Sequence, residues 1–225
     1  MIIHVANPIY DSVFKYIMED ERIAKTILSA LLKKEVVHVT VRPHEYCNTT
    51  RDTLSMFRID FAATVREKEG NEIKDRIVLI ELQKTWLNTE TLRFRQYLGA
   101  QYNNKNNIRE ADEKGYAYPM VAVYLLGHKV GNIKEPIVYV NHDVFDYNGN
   151  VVAEGNAEPF VESLTHNSII VQIPRLQGNV NNRLEKVLSV FDQTNVEGDT
   201  QQVLKIDEDK YADDNDMMYV LHKLT

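Results

Sequence analysis

The sequence predicts an α/β or α+β fold, a sheet flanked by helices, on three observations. An opening stretch carries apolar residues at helical spacing: Phe14, Ile17 and Met18, then Ile23, Ile27, Leu28, Leu31 and Leu32. Strand-like apolar runs follow, bounded by turn residues. The order along the chain is helix, strands, helix, strands, helix. A length of 225 residues favours one domain with a sizeable core.

Asn7-Pro8 punctuates the approach to the first helix, and Asp11 or Ser12 can cap it. "EDER" (19–22) divides the helical stretch in two. "VVHVTVRP" (36–43) alternates as a strand or an extended arm, and "HEYCNTTRDT" reads as loop. "FRIDFAATV" (57–65) and "RIVLIELQ" (76–83) are strands separated by the charged "REKEGNEIKD". "TLRFRQYLGAQY" (91–102) is a helix that "NNKNN" ends. Strands are expected in 118–127, in 136–145 with a turn at Asn148-Gly149, and in 167–174. "NNRLEKVLSVFDQ" (181–193) is an amphipathic helix. The expected main domain is 1–195. Residues 196–225 read as an acidic C-terminal segment, or the start of a further region, with "DMMYVLHKL" as a short helix.

The net charge of −7 is unevenly spread. Between Glu197 and Asp216 eight acids face two lysines, a balance of −6, so the rest of the chain is near neutral. From Lys84 to Arg109 five basic residues face only Glu90, which reads equally as a nucleic-acid footprint or a solvated helix face. No apolar run approaches the roughly 18 residues of a membrane span. The start shows no signal-peptide pattern. A single cysteine, Cys47, fits a reducing cytoplasm and reads as a structural residue.

The two central strands raise the chemical question. A two-residue Gly70-Asn71 turn would set Ala62 opposite Leu79, Thr64 opposite Ile77, Asp60 opposite Glu81 and Arg58 opposite Gln83. With side chains alternating, Arg58, Asp60, Glu81 and Gln83 share one face, and Lys84 points to the other. Two carboxylates converging at the end of an apolar face repel each other and call for a cation. A hard divalent ion takes such oxygen ligands. The other reading makes both ordinary edge residues, one of them paired with Arg58.

"DSVFK" on the opening helix, "RIDF" and "IELQ" on successive strands and "LRFRQY" on the next helix together resemble the recombination-promoting nuclease and putative transposase family of the PD-(D/E)XK nuclease superfamily. The resemblance spans residues 7 to 130. It implies a restriction-endonuclease-like core, a central mixed sheet flanked by helices, with Asp60, Glu81 and Asp11 as ligands of Mg²⁺ or Mn²⁺. Lys15 lies in the first motif as an accessory cation. Gln83 stands where the superfamily signature has lysine, and an amide can only hydrogen-bond. Arg93 and Tyr97 match the arginine and tyrosine of the helix motif.

The expected activity is metal-dependent DNA endonuclease chemistry of low sequence specificity, associated with mobile elements or recombination. Arg93 would clamp a phosphate, while Arg95 and Lys105 would add salt-sensitive backbone affinity. Arg93 as a structural tie to the Asp60/Glu81 face is the competing role. Gln83 and the acidic segment support an alternative, a catalytically inactive nuclease fold serving as a nucleic-acid-binding or protein-interaction module. The residues leave open whether the chain acts alone or as a homodimer.

Other chemistries find little footing. The seven histidines (4, 38, 44, 128, 142, 166 and 222) lack zinc-site spacing, and P-loop and G-x-S-x-G patterns are absent. Trp86 and the tyrosines at 116, 118 and 124 read as core or rim in preference to a base-stacking platform.

Overall fold

Gly70 adopts φ +62°, the left-handed conformation that a two-residue hairpin turn needs. That turn joins β5 (Phe61–Glu69) to β6 (Glu72–Gln83) in an antiparallel ladder. Ala62 faces Leu79, Thr64 faces Ile77, and pairing continues through the charged tip to Glu69 and Glu72. The computed structural model describes residues 1–42, 45–50, 53–85, 90–109, 114–153 and 158–225, with the side chains of 45–50, 53–58, 69 and 90 outside the description. His44, Trp86 and the side chains of Cys47 and Arg58, all read above, therefore lie outside the described residues.

The molecule is α/β, with a six-stranded mixed central sheet flanked by helices. The strand order is β2 (Glu35–Val41), β5, β6, β7 (Met120–Leu126), β9 (His166–Gln172) and β8 (Ile137–Val140). The β6–β7 and β7–β9 pairs are parallel, and the others are antiparallel. The second half of β6 and β7 are buried on both faces, as their continuous apolar runs require.

One face carries the main core. α1 (Asp11–Met18) and α2 (Glu21–Leu32) bury Phe14, Ile17, Met18, Ile23, Leu28 and Leu31 against Phe61, Val78, Ile80, Val123 and Val171. Each such side chain contributes about 1.5–3 kcal/mol of transfer free energy. The break at "EDER" is real: Asp20 caps α2, accepting from the backbone N–H groups of Arg22 and Ile23. Tyr10, neither Asp11 nor Ser12, precedes the first turn of α1, and it makes no side-chain cap.

The opposite face carries α3 (Glu90–Tyr102) over a smaller cluster of Ile59, Ala62, Ile77, Leu79, Tyr97 and Met120. The remaining helices are α4 (Pro159–Leu164), α5 (Arg183–Ser189) and α6 (Asn215–Leu224).

The stretch read as loop, "HEYCNTTRDT", instead contributes to a two-stranded ribbon of β3 (Glu45–Thr50) and β4 (Thr53–Arg58). Its Thr- and Tyr-containing residues suit paired strands without an apolar alternation to announce it. The N-terminus also forms a strand, β1 (Ile2–Ala6), in a three-stranded sheet with β11 (Val203–Asp207) and β10 (Val196–Glu197). Leu204, Ile206, Met217, Val220, Leu221 and Leu224 of the acidic segment all belong to the main core. Among the described residues no helix is long and apolar enough to cross a membrane.

Candidate functional site

The chain bends at Asp60 and β5 begins at Phe61, paired with Ile80. β6 runs on for three more residues beside β7, so the two strands part where the acidic residues lie. Asp60 does not continue the ladder. Its Oδ2 accepts the backbone N–H of Leu82 at 2.7 Å, which turns the carboxylate in toward the end of β6. From α1, Lys15 Nζ reaches Asp60 Oδ1 at 3.6 Å and Asp11 Oδ1 at 2.5 Å. The first helix thus attaches to the strand junction through one lysine between two aspartates.

Glu81 projects to the α3 side and is 4% exposed. Arg93 Nη2 donates to Glu81 Oε1 at 2.5 Å and also to Gln83 Oε1. Gln83 Nε2 donates to the Thr85 carbonyl at 2.5 Å. Both ends of the Gln83 amide are therefore engaged, holding Arg93 and the turn after β6. Glu81 Oε2 is buried without a hydrogen-bond partner.

Burial, reinforced by hydrogen bonding to Asp11, pushes the Asp60 carboxyl up to about 6, against the Leu82 N–H and Lys15. Burial, then the charge of Asp60, pushes Glu81 up to about 8, outweighing Arg93. Repulsion from Asp60 thus contributes to the raised value of Glu81. It marks a position that gains from added positive charge.

The residues fit a divalent ion as a pair. Mg²⁺ is commonly held by one or two carboxylates plus substrate phosphate and water, and the free Glu81 oxygen is a hard donor of that kind. Asp11 does not complete a triad: among the described residues no three His, Cys, Asp or Glu side chains gather around one point. It is 57% exposed at its side chain and acts on the site through Lys15 and Asp60.

The other expected residues separate by face. Tyr97, the match to the tyrosine of the helix motif and by that resemblance a substrate-binding residue, is buried in the core beneath α3, and Arg93 lies 6.0 Å from its ring centre. It anchors the helix, with its ring bordering a small cavity shared with Glu81 and Phe94. Arg95 is exposed. Lys105 is exposed in the short turn beyond α3, and α3 alone separates Arg93 from Tyr102 by about 14 Å along its axis. Both cations stand on the surface. Lys84 keeps to the opposite side, its Nζ 2.9 Å from the Tyr10 hydroxyl and 4.1 Å from the ring centre.

Phe94 escaped the sequence reading, whereas Tyr124, read there as core or rim, is half-buried beside the acid. Tyr124 pairs in register with Glu81 across β6 and β7, and its ring centre lies 4.9 Å from that of Phe94. Burial and the Glu81 charge push its hydroxyl up to about 12, so it stays protonated. The available signal was one polar-tipped residue in "MVAVYLL", half-buried among buried neighbours. Close packing seals the floor: a Cβ on Gly127 would come within 2.1 Å of the Lys84 carbonyl oxygen. Comparison with protein-family models, curated proteins and solved structures finds no match for this chain.

Proposed function

We propose that the chain is a metal-dependent nuclease of restriction-endonuclease-like architecture, hydrolysing phosphodiester bonds of DNA with low sequence specificity. The observation that carries the reading is half-buried Asp60 and buried Glu81 at the parting of β5 and β6, with one Glu81 oxygen unpartnered. Asp60 and Glu81 would hold Mg²⁺ or Mn²⁺. Bound there, the ion would supply Lewis-acid stabilisation of phosphate charge and a lower pKa for water.

The chain's own groups do the rest. Asp60 is held in place by the Leu82 N–H, so its position does not depend on the ion. Lys15, 3.6 Å from Asp60, places a cation on the α1 side without a lysine at position 83. Arg93, released from Glu81 by competition, would carry its guanidinium to a phosphate. Gln83 is fully engaged with Arg93 and Thr85, so its role is to position Arg93 and not to orient water. Exposed Arg95 and Lys105 add backbone affinity that falls with salt. Membership of a mobile-element or recombination system rests on the sequence resemblance.

The Arg93 bridge itself favours a second reading. A guanidinium on Glu81 and Gln83 is what an inactive nuclease fold would use to neutralise the acid and serve as a binding module. Nicking of supercoiled plasmid separates the two. Mg²⁺-dependent nicking, abolished by EDTA and by Glu81→Ala, is expected of the nuclease. Inactivity of the folded protein in both Mg²⁺ and Mn²⁺, on supercoiled plasmid and on a single-stranded oligonucleotide alike, gives the lead to the binding module.

A further inference from the structure

The α3 side of the sheet carries a cavity of about 630 Å³ lined by Tyr124, the strand neighbour of Glu81. Its walls include Phe94, Tyr124, Leu126 and Ile170, with Thr91 of the first turn of α3 and exposed Lys129 at its margin. Two of these residues are the register partners of the polar site: Tyr124 lies beside Glu81, and Leu126 beside Gln83. Adjacent strands are about 4.8 Å apart, so the cavity floor adjoins the candidate centre. It also opens where parallel strands β6 and β7 end, the part of an open α/β sheet where ligands bind.

We propose that this cavity receives one unstacked base of a single nucleic-acid strand, and that the substrate class of the site is single-stranded nucleic acid. The proposal rests on the nuclease reading for what happens to the strand, though not for the binding itself. Volume and chemistry agree with it. The cavity falls within the roughly 300–1,000 Å³ typical of small-ligand sites. Its walls offer the rings of Phe94 and Tyr124 and the aliphatic side chains of Leu126, Val130 and Ile170, which suit a flat heterocycle. Stacking is blind to base identity, as a nuclease of low specificity needs.

Charge is arranged to match. Arg93 precedes Phe94 on α3, so a base held against the Phe94 ring brings its backbone toward the guanidinium and Glu81. Lys129 and the amino-terminal end of α3, at Thr91, give the flanking phosphate a positive margin. A base within a duplex is already stacked and paired, so it reaches the cavity only by being extruded. That cost separates strand from duplex.

Fluorescence anisotropy tests the binding with full-length chain in EDTA. The probes are 5′-labelled oligothymidylate and a blunt duplex of equal length. The expected result is at least tenfold tighter binding of the single strand, weakened about 5- to 100-fold by Ile170→Trp, which fills the cavity, and by Phe94→Leu, which removes a ring. Glu81→Gln should keep this binding while losing Mg²⁺-dependent cleavage. Strand binding that depends on the cavity, without cleavage in any metal, would sink the nuclease reading and leave the cavity assignment standing. Equal affinity for strand and duplex, or binding indifferent to both folded cavity variants, overturns the cavity assignment even if the protein cleaves. Should either variant fail to fold, the wild-type comparison of strand with duplex decides.

Discussion

Arg93 Nη2 lies 2.5 Å from Glu81 Oε1, a guanidinium from the start of α3 closing on the last buried acid of β6. This contact ties the helix to the sheet and places a countercharge on the buried Glu81 carboxylate. Arg93→Ala should destabilise the protein by about 1–3 kcal/mol, below the full value for breaking a buried pair because the arginine is 35% exposed. Urea unfolding at pH 6 and pH 9 checks it. The loss should be larger at pH 9, where an unpaired Glu81 is ionised.

The carboxylate pair makes stability depend on pH. Both folded-state pKa values are raised, to about 6 for Asp60 and about 8 for Glu81, so the folded state binds protons more tightly than the unfolded chain. The stabilisation is complete below pH 4 and is lost as pH rises through 6 and 8. Between pH 5 and 8.5 the urea midpoint should fall for the wild type. Glu81→Gln should flatten that slope and gain about 1–2 kcal/mol at pH 8.

Divalent ions should reverse that loss. A ligand at 100 times its Kd stabilises by about 2.7 kcal/mol, which corresponds to a Tm gain of about 5–10 °C for a chain of this size. Melting at pH 8 with Mg²⁺ or Mn²⁺ against EDTA should show this gain in the wild type. Glu81→Gln and Asp60→Asn should abolish it. An unchanged wild-type Tm would remove the pair as a metal site.

Gly127 is fixed by its neighbour, since its Cβ position overlaps the Lys84 carbonyl oxygen. Gly127→Ala must push the ends of β6 and β7 apart and should cost about 3 kcal/mol in chemical denaturation. Because that opening bears on Glu81 and Gln83, any metal-dependent shift in Tm should weaken with it.

Truncation after residue 195 should leave a chain without cooperative unfolding. It would remove Leu204, Ile206, Val220 and Leu221 from the main core, and single losses of this kind cost about 2–5 kcal/mol each. Circular dichroism melting of the shortened chain checks this. A sharp transition would mean that the acidic segment is dispensable.

Much of this architecture was legible in local pattern. Helical spacing gave α1 and α2, and Asp20 marked their division. Gly70-Asn71 set the central register, because only a turn with positive φ fits between those strands and side-chain parity then follows. That parity put Glu81 and Gln83 on one face and Lys84 on the other. The ribbon of β3 and β4 was not legible, since its residues lack the alternation a half-buried strand shows.

The sequence by itself determined which residues could share a face, because backbone periodicity of two and 3.6 is local. Tertiary structure alone decided what met across faces and distances. It bent Asp60 onto the Leu82 N–H, brought Arg93 to Glu81, buried Tyr97 under α3 and set Tyr124 beside the acid. It also paired Ile2–Ala6 with Val203–Asp207, drawing a segment that reads as solvated charge into the core through its alternate apolar residues. Such contacts depend on how strands and helices pack after chain segments far apart have come together, and no short window of sequence carries that information.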